Sequence, residues 1–117
     1  MPRFAWGPIG AAGRVFLIGG KQTVTPPFTA RLAVPTHVMV RQVDGESVLL
    51  NLNSERYFGL DAVGTRMWSV LTTAQSIQAA FDALLAEYEV GAEQLRQNLQ
   101  ELVSKLVENG LVEVRSG

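Results

Sequence analysis

The stretch that most constrains the fold of this 117-residue chain is residues 48–68, VLLNLNSERYFGLDAVGTRMW. Residues 48–52 are apolar and prone to form a strand, and residues 56–60 predict a second strand whose aromatic side chains suit a half-buried sheet surface. The residues between them are typical of a turn. Asp61 follows directly and can cap a helix, because its carboxylate accepts the free amide hydrogens of a first helical turn. The stretch therefore predicts two antiparallel strands that lead straight into a helix.

A third strand and two further helices are predicted around this stretch. Residues 37–43 alternate enough to form a strand, and Asp44-Gly45 after them is a strong hairpin signal. The three strands make an antiparallel meander whose last strand has a free edge. Helices are expected at residues 62–71, from the cap Ser76 onward, and from Ala92 to the stop signal Asn109-Gly110, before a short strand at residues 111–114. The fold class is therefore α+β, a three-stranded antiparallel sheet followed by three helices, with the outline of a winged helix-turn-helix.

The first 32 residues differ in composition from the rest. They are rich in glycine and proline and show no lasting period, so we expect a flexible basic tail at residues 1–32 and one compact domain at residues 33–117. Residues 1–35 carry four basic and no acidic side chains, whereas residues 36–117 carry six basic and eleven acidic ones. A wrongly chosen start codon would also produce such a tail. Alternatively, residues 15–18 fold back as a strand over the free sheet edge.

Catalysis has little support in this sequence. It contains no cysteine, which excludes thiolate chemistry and disulfides and is compatible with the reducing cytoplasm, where we expect the protein. His37 is the only histidine and lies at the start of a predicted strand with no nucleophile elbow nearby, so we interpret it as an exposed strand residue. The apolar run at residues 15–18 is too short to span a membrane. We therefore expect no catalytic residue, no metal site and no cofactor.

Two groups of apolar residues are candidates for a binding surface. Consecutive strand residues face opposite sides of a sheet, so we expect Phe58 with Leu60 to point into the domain and Tyr57 with Gly59 to point outward. The alternative is that both aromatic residues belong to the core. The last helix carries a broad apolar stripe that first of all holds the helix on the sheet, and its margin is expected to line a groove beside the third strand. The stripe consists of Leu95, Leu99, Leu102, Val103 and Leu106.

Three motifs carry a family resemblance. Tyr57-Phe58-Gly59-Leu60-Asp61, the pair Val63-Gly64 with Trp68, and Asn109-Gly110-Leu111-Val112 resemble the PqqD-like family of small peptide-recognition proteins, with closest likeness to the stand-alone recognition proteins of lasso-peptide biosynthesis. The resemblance covers about residues 33–114. It implies a protein that is not an enzyme and binds the leader segment of a ribosomally made precursor in a groove between the third strand and third helix. Carried over by position, the peptide-binding residues are Glu55, Arg56, Tyr57, Phe58, Leu95, Arg96, Leu99, Leu102, Val103, Lys105 and Leu106.

The resemblance also implies the partners. The leader peptide is expected to add as a strand to the free edge and to be delivered to a transglutaminase-like leader peptidase, with a lasso cyclase acting afterwards. One alternative is a peptide chaperone for a radical-SAM modifying enzyme, as in pyrroloquinoline quinone synthesis. A second is a winged-helix DNA-binding protein, although the third helix sets Arg96 and Lys105 against three glutamates. Because the folded part is acidic, we expect no nucleic-acid partner, and because the apolar run at residues 15–18 is short, we expect no membrane partner.

Overall fold

The computed structural model describes residues 4–5 and 26–116, and in these it has the α+β fold that the sequence predicts. Three strands form the main antiparallel sheet, and three helices follow them in the chain. In chain order the elements are β1 (Phe4–Ala5), β2 (Arg31–Ala33), β3 (Val38–Val43), β4 (Glu46–Asn51), β5 (Arg56–Leu60), α1 (Ala62–Thr73), α2 (Ile77–Glu87), β6 (Tyr88–Glu89), α3 (Ala92–Glu108) and β7 (Glu113–Arg115).

The main sheet has the order β3-β4-β5, and two tight turns set its register. Asp44 and Gly45 both have positive φ angles, 54° and 82°, as a two-residue hairpin turn of this kind requires, and they pair Val43 with Glu46. The turn between β4 and β5 is four residues long and includes Glu55, at φ 61°. The hairpin predicted at Asp44-Gly45 is therefore confirmed.

The predicted caps hold the helices at their starts. Asp61 Oδ1 accepts a hydrogen bond from the Gly64 amide at 2.8 Å, and Ser76 Oγ accepts one from the Ala79 amide at 3.0 Å. Gly110 ends the last helical turn with a φ of +69°, a conformation that glycine adopts without strain. The second helix stops at Glu87, and Tyr88 begins the short strand β6.

One hydrophobic core lies between the inner face of the sheet and the helices. Phe58 and Leu60 are 5% and 3% exposed, which confirms that they point inward. The stripe of α3 supplies a large share of the core, because each of its five apolar residues is no more than 1% exposed. Met67 and Leu71 of α1 and Ile77 and Leu84 of α2 complete the centre of this core.

Residues 28–32, which precede the boundary predicted at residues 32 and 33, contact the helices and the end of the chain. The carbonyls of Phe28 and Ala30 accept hydrogen bonds from the amides of Gln78 and Ile77, each at 2.8 Å, and so satisfy the first turn of α2. Leu32 is 2% exposed, and its strand β2 pairs with β7 at the end of the chain. Strand β1 pairs in parallel with β6. The predicted strand at residues 15–18 lies outside the described residues.

Candidate functional site

The outer edge of β5 is the first part of the candidate site. In the part of the chain that the structure describes, β5 pairs with β4 on one side and with no strand on the other. An unpaired edge presents a row of backbone donors and acceptors that a further strand can use. The free edge predicted from the sequence is therefore present among the described residues.

Backbone alternation identifies which residues of β5 face outward. The Leu52 amide donates to the His37 carbonyl at 2.8 Å, so the even-numbered residues of β4 direct their backbone groups toward β3. The odd-numbered residues of β4 then bond to β5, where their partners are Arg56, Phe58 and Leu60. Tyr57 and Gly59 consequently direct both the N–H and the C=O away from the sheet. An incoming strand can form four backbone hydrogen bonds with these two residues.

The outer face of the sheet, defined by the side chains that point away from the helices, is open and largely apolar. Tyr57 is 77% exposed, and nothing lies within 4 Å of the position that a Cβ atom on Gly59 would occupy. A wide cavity of about 860 Å³ covers this face. Its walls include Met39, Val43, Val48, Leu50 and Tyr57, with Arg41, Asp44, Glu46 and Asp61 among its charged residues. The outward position predicted for Tyr57 and Gly59 is confirmed.

The apolar stripe of α3 was expected to line a groove beside β5 with its margin, and the structure places the whole stripe in the core. All five side chains, those of Leu95, Leu99, Leu102, Val103 and Leu106, are buried in the core, and none presents an accessible margin in this structure. Direct contact between them and a bound peptide would require α3 to move away from the sheet. Their contact with a peptide stays a prediction, whereas their role in packing α3 against the domain follows from their burial.

The two basic residues of α3 that were assigned to the site lie on different flanks of that helix. The Arg96 guanidinium lies over the rings of Phe28 and Phe81, 5.2 and 4.8 Å from their centroids. At 3.6 residues per turn, Arg96 is about 140° around the axis from Asn109, which adjoins the turn before β5. Lys105 is one turn before Asn109 and is half-buried on that same flank. Lys105 is therefore the better placed of the two to face β5.

Asn51, which the sequence analysis did not single out, joins β5 to the end of α3. Asn51 is only 6% exposed, and its side-chain Nδ2 donates to the carbonyls of Asn109 and Gly110 at 2.9 and 3.4 Å. Its Oδ1 accepts hydrogen bonds from the amides of Asn53 and Ser54 at 2.9 and 3.2 Å. An asparagine before a turn commonly accepts a hydrogen bond from the backbone two residues on, and this pattern is the sequence signal that could have identified Asn51. The carboxamide thus fixes the end of α3 relative to the turn that precedes β5.

Gly110 and His37 complete this junction. A Cβ atom on Gly110 would lie 2.9 Å from Asn51 Nδ2, so the close approach of the two elements requires glycine there. His37 Nε2 lies 3.1 Å from the Gly110 carbonyl, to which it donates when that nitrogen is protonated. The interpretation of His37 as an exposed strand residue is therefore wrong: it precedes β3 and is half-buried at the end of α3.

Electrostatic interactions elsewhere in the molecule join helices. Arg66 of α1 and Glu87 of α2 form a bidentate ion pair with both N···O distances at 2.8 Å. The hydrogen bond from Arg66 lowers the pKa of the Glu87 carboxyl, while partial burial opposes that shift. Burial raises the pKa of Tyr88. Among the residues that the structure describes, no three His, Cys, Asp or Glu side chains are grouped to hold a metal ion.

No helix in the described ranges combines the length and the apolar character that crossing a bilayer requires.

Fold and site together define a small α+β domain whose sheet, in the described residues, has outer strands β3 and β5 that pair with no further strand, and β5 offers an extended ligand the edge described above. The sequence profile of the family described as coenzyme PQQ synthesis protein D (PqqD) matches residues 46–112, and the chain belongs to that family. The match confirms the resemblance drawn from the three motifs. A comparison with curated proteins finds no match.

Two solved structures are similar to this chain. One is described as TbiB1 in complex with the TbiA(beta) leader peptide; it is 36% identical, with a TM-score of 0.64, over 69% of this chain and 94% of that one. The other is described as lasso peptide synthetase B1 complexed with the leader peptide; it is 26% identical, with a TM-score of 0.64, over 71% of this chain and 98% of that one. Both confirm the expected likeness to the recognition proteins of lasso-peptide biosynthesis.

Proposed function

We propose that this protein binds the leader segment of a ribosomally synthesised precursor peptide by strand addition to the free edge of β5. The observation that carries the proposal is the outward direction of the backbone groups of Tyr57 and Gly59, which gives an extended chain four hydrogen-bonding partners. The two similar structures, both described as complexes with a leader peptide, support the same ligand class.

The expected affinity follows from the size of this edge. Four backbone hydrogen bonds contribute about 1 kcal/mol each, and two buried apolar anchors contribute about 2 kcal/mol each, roughly 8 kcal/mol in all. Ordering a disordered peptide costs about 2–5 kcal/mol of that gain. Micromolar binding therefore needs further contacts, and the exposed Arg56 and the half-buried Lys105 are placed to supply charged ones to an acidic leader.

The role of the bound complex is delivery rather than catalysis. The protein captures the leader and presents it to a separate transglutaminase-like leader peptidase, and a lasso cyclase acts on the released core peptide. The acidic, histidine-poor domain supplies the recognition step, and the chemistry belongs to its partners. A delivery role predicts that the peptidase cleaves the precursor faster in the presence of this protein than alone.

Strand addition is tested by N-methylation of the leader. A fluorescein-labelled leader peptide is titrated with the protein, and each backbone amide of the peptide is methylated in turn. Because alternate residues of an added strand direct their N–H toward β5, methylation is expected to weaken binding at every second position across the bound segment. Equal effects at all positions, with binding retained, would contradict strand addition.

The second candidate function is that of a peptide chaperone for a radical-SAM modifying enzyme, because the matching family is described as coenzyme PQQ synthesis protein D. Adding either a leader peptidase or a radical-SAM enzyme to the labelled complex distinguishes the two, since the true partner slows the tumbling of the complex further. Labelled duplex DNA in the same titration tests the winged-helix alternative. Binding to DNA that weakens steeply with salt, without any binding to leader, would contradict peptide recognition.

A further inference from the structure

A notch in the outer face of the sheet lies beside the edge where a guest strand would add. Its floor is the bare backbone of Gly59, its far wall is Val48 on the neighbouring strand, and one side wall is the exposed ring of Tyr57. Val48 is 45% exposed, and the space above Gly59 is empty to at least 4 Å. All three residues line the same wide apolar cavity.

From this geometry, and resting on the proposed strand addition, we infer that Gly59 selects for a large apolar side chain on the guest. The guest residue opposite Gly59 shares its outward backbone hydrogen bonds and, as in any antiparallel pair, directs its side chain to the same face. That side chain lies across Gly59 and packs against Val48 and Tyr57. The contact belongs to the outer face of the sheet and not to the α3 side of β5.

Distances across the sheet set the size of the guest side chain. Strands lie about 4.8 Å apart, so the guest backbone is about 10 Å from that of Val48, with Gly59 between them. A side chain as small as alanine or serine cannot bridge that gap, whereas an aromatic ring, leucine or methionine can. Large side chains that cover a glycine on a neighbouring strand are a known means of fixing register. The notch would therefore select both the residue type and the register of the leader.

Gly59 has no other evident reason to be glycine. It lies inside a strand, where glycine is unfavourable because it loses more backbone entropy and packs no side chain. Its φ is not in the left-handed region, and a Cβ atom would meet no neighbour, so neither backbone strain nor crowding requires it. At Gly110, by contrast, both a positive φ and a close contact require glycine. Open space for a ligand is the remaining physical use of the missing side chain.

A double-mutant cycle tests the inference. The protein variants are Gly59→Val, which fills the notch with a residue suited to strands, and the milder Gly59→Ala. The probe is the fluorescein-labelled TbiA(beta) leader, which is bound in one of the two similar structures, with single alanine substitutions. In the wild type, truncating one large guest side chain is expected to weaken binding about tenfold, and in Gly59→Val the same truncation about threefold or less.

The control variant is Gly91→Val, at the start of α3, where a Cβ atom also meets nothing within 4 Å and the φ is −68°. It should leave the cycle unchanged, and circular dichroism should show all variants folded. If the wild type binds the leader but every truncation weakens binding equally in the wild type and in Gly59→Val, the guest does not use the notch. Strand addition would then be supported without the proposed selection by Gly59. If the wild type does not bind this leader, the proposed function itself fails and the inference fails with it.

Discussion

At the scale of single residues, Asn51 does most to position the candidate site. Both ends of its carboxamide are used: the nitrogen bonds to the end of α3, and the oxygen bonds to the turn that leads into β5. Because the residue is nearly buried, no water can readily replace these partners. The carboxamide of Asn51 therefore helps to set the spacing between β5 and the end of α3, together with the contact between His37 and Gly110.

Replacing Asn51 with alanine should lower the free energy of unfolding by about 1–3 kcal/mol, because buried donors and acceptors lose their partners. Urea denaturation followed by circular dichroism measures this change. Asn53→Ala, in the exposed turn beside it, is the matched control and should cost less than about 0.5 kcal/mol. Equal stability of the two variants would show that the junction holds without the carboxamide.

The ion pair between Arg66 and Glu87 gives a prediction about pH. Arg66 lowers the pKa of Glu87 in the folded protein, so the pair stabilises the fold above the ordinary carboxyl pKa, and this stabilisation is lost as the pH falls through the lowered value. The Arg66 side chain is 48% exposed, so solvent screening limits the contribution to about 1 kcal/mol or less. Glu87→Gln should therefore destabilise the protein at pH 7 and change little near pH 3.

Thermal unfolding at the two pH values measures the difference, with Glu101→Gln on the exposed surface of α3 as the control. A Glu87→Gln variant that is equally destabilised at both pH values would mean that packing, not charge, is what the carboxylate contributes.

At the scale of secondary-structure elements, α3 packs its apolar stripe into the core, whereas β5 carries the proposed contact surface. The stripe of α3 is buried to the last residue, whereas β5 has two buried residues, Phe58 and Leu60, and three exposed ones. Substitutions on the two elements should consequently differ in kind. Changes in the buried stripe of α3 are expected to act through folding, and changes on the exposed side of β5 are expected to act through binding.

Leu99→Ala and Tyr57→Ala separate these two effects. Leu99 is fully buried, so its truncation should cost about 2–5 kcal/mol of stability, and any loss of leader binding should follow the fraction unfolded. Tyr57 is 77% exposed, so Tyr57→Ala should unfold normally and yet bind the labelled leader more weakly. Denaturation curves and anisotropy titrations of both variants supply the comparison. Normal binding by Tyr57→Ala would remove this ring from the site.

Local patterns predicted the elements whose signals are local. The hairpin at Asp44-Gly45, the caps Asp61 and Ser76, and the stop at Gly110 each depend on residues within a few positions of one another. Strands β2 and β6 were missed because their pairing partners lie far away in the sequence and have no periodic signal. Tertiary pairing of this kind overrides local propensity.

The candidate site also contains some features that local sequence patterns predict and others that depend on contacts between distant parts of the chain. The free edge and the outward direction of Tyr57 could be predicted, since they depend on strand alternation alone. The position of Arg96 could not, because Phe28 and Phe81, which lie against its guanidinium, come from separate parts of the chain. The junction at Asn51 could not either, since it depends on where α3 ends in space relative to the turn before β5.

At the scale of the whole molecule, the helices cover one face of the sheet, and within the described residues the other face and the edge of β5 are open to solvent. A domain of this size buries a modest core, so a ligand that binds only the folded state should stabilise it measurably. Leader peptide at a hundred times its dissociation constant should add about 2.7 kcal/mol to the free energy of unfolding. Thermal unfolding with and without leader measures the gain, and a scrambled leader of equal charge should give none.

The two outer edges of the main sheet, on β3 and on β5, differ in how their backbone groups are bonded, and this difference affects the protein before it binds any ligand. On β3 the amide of Val38 is already bonded to the Pro35 carbonyl, which blunts that margin at its start. The margin of β5 has no such protection among the described residues, so two empty copies can join there and nucleate assembly. Leader peptide should then act as a solubilising agent: light scattering from a concentrated sample should fall when it is added.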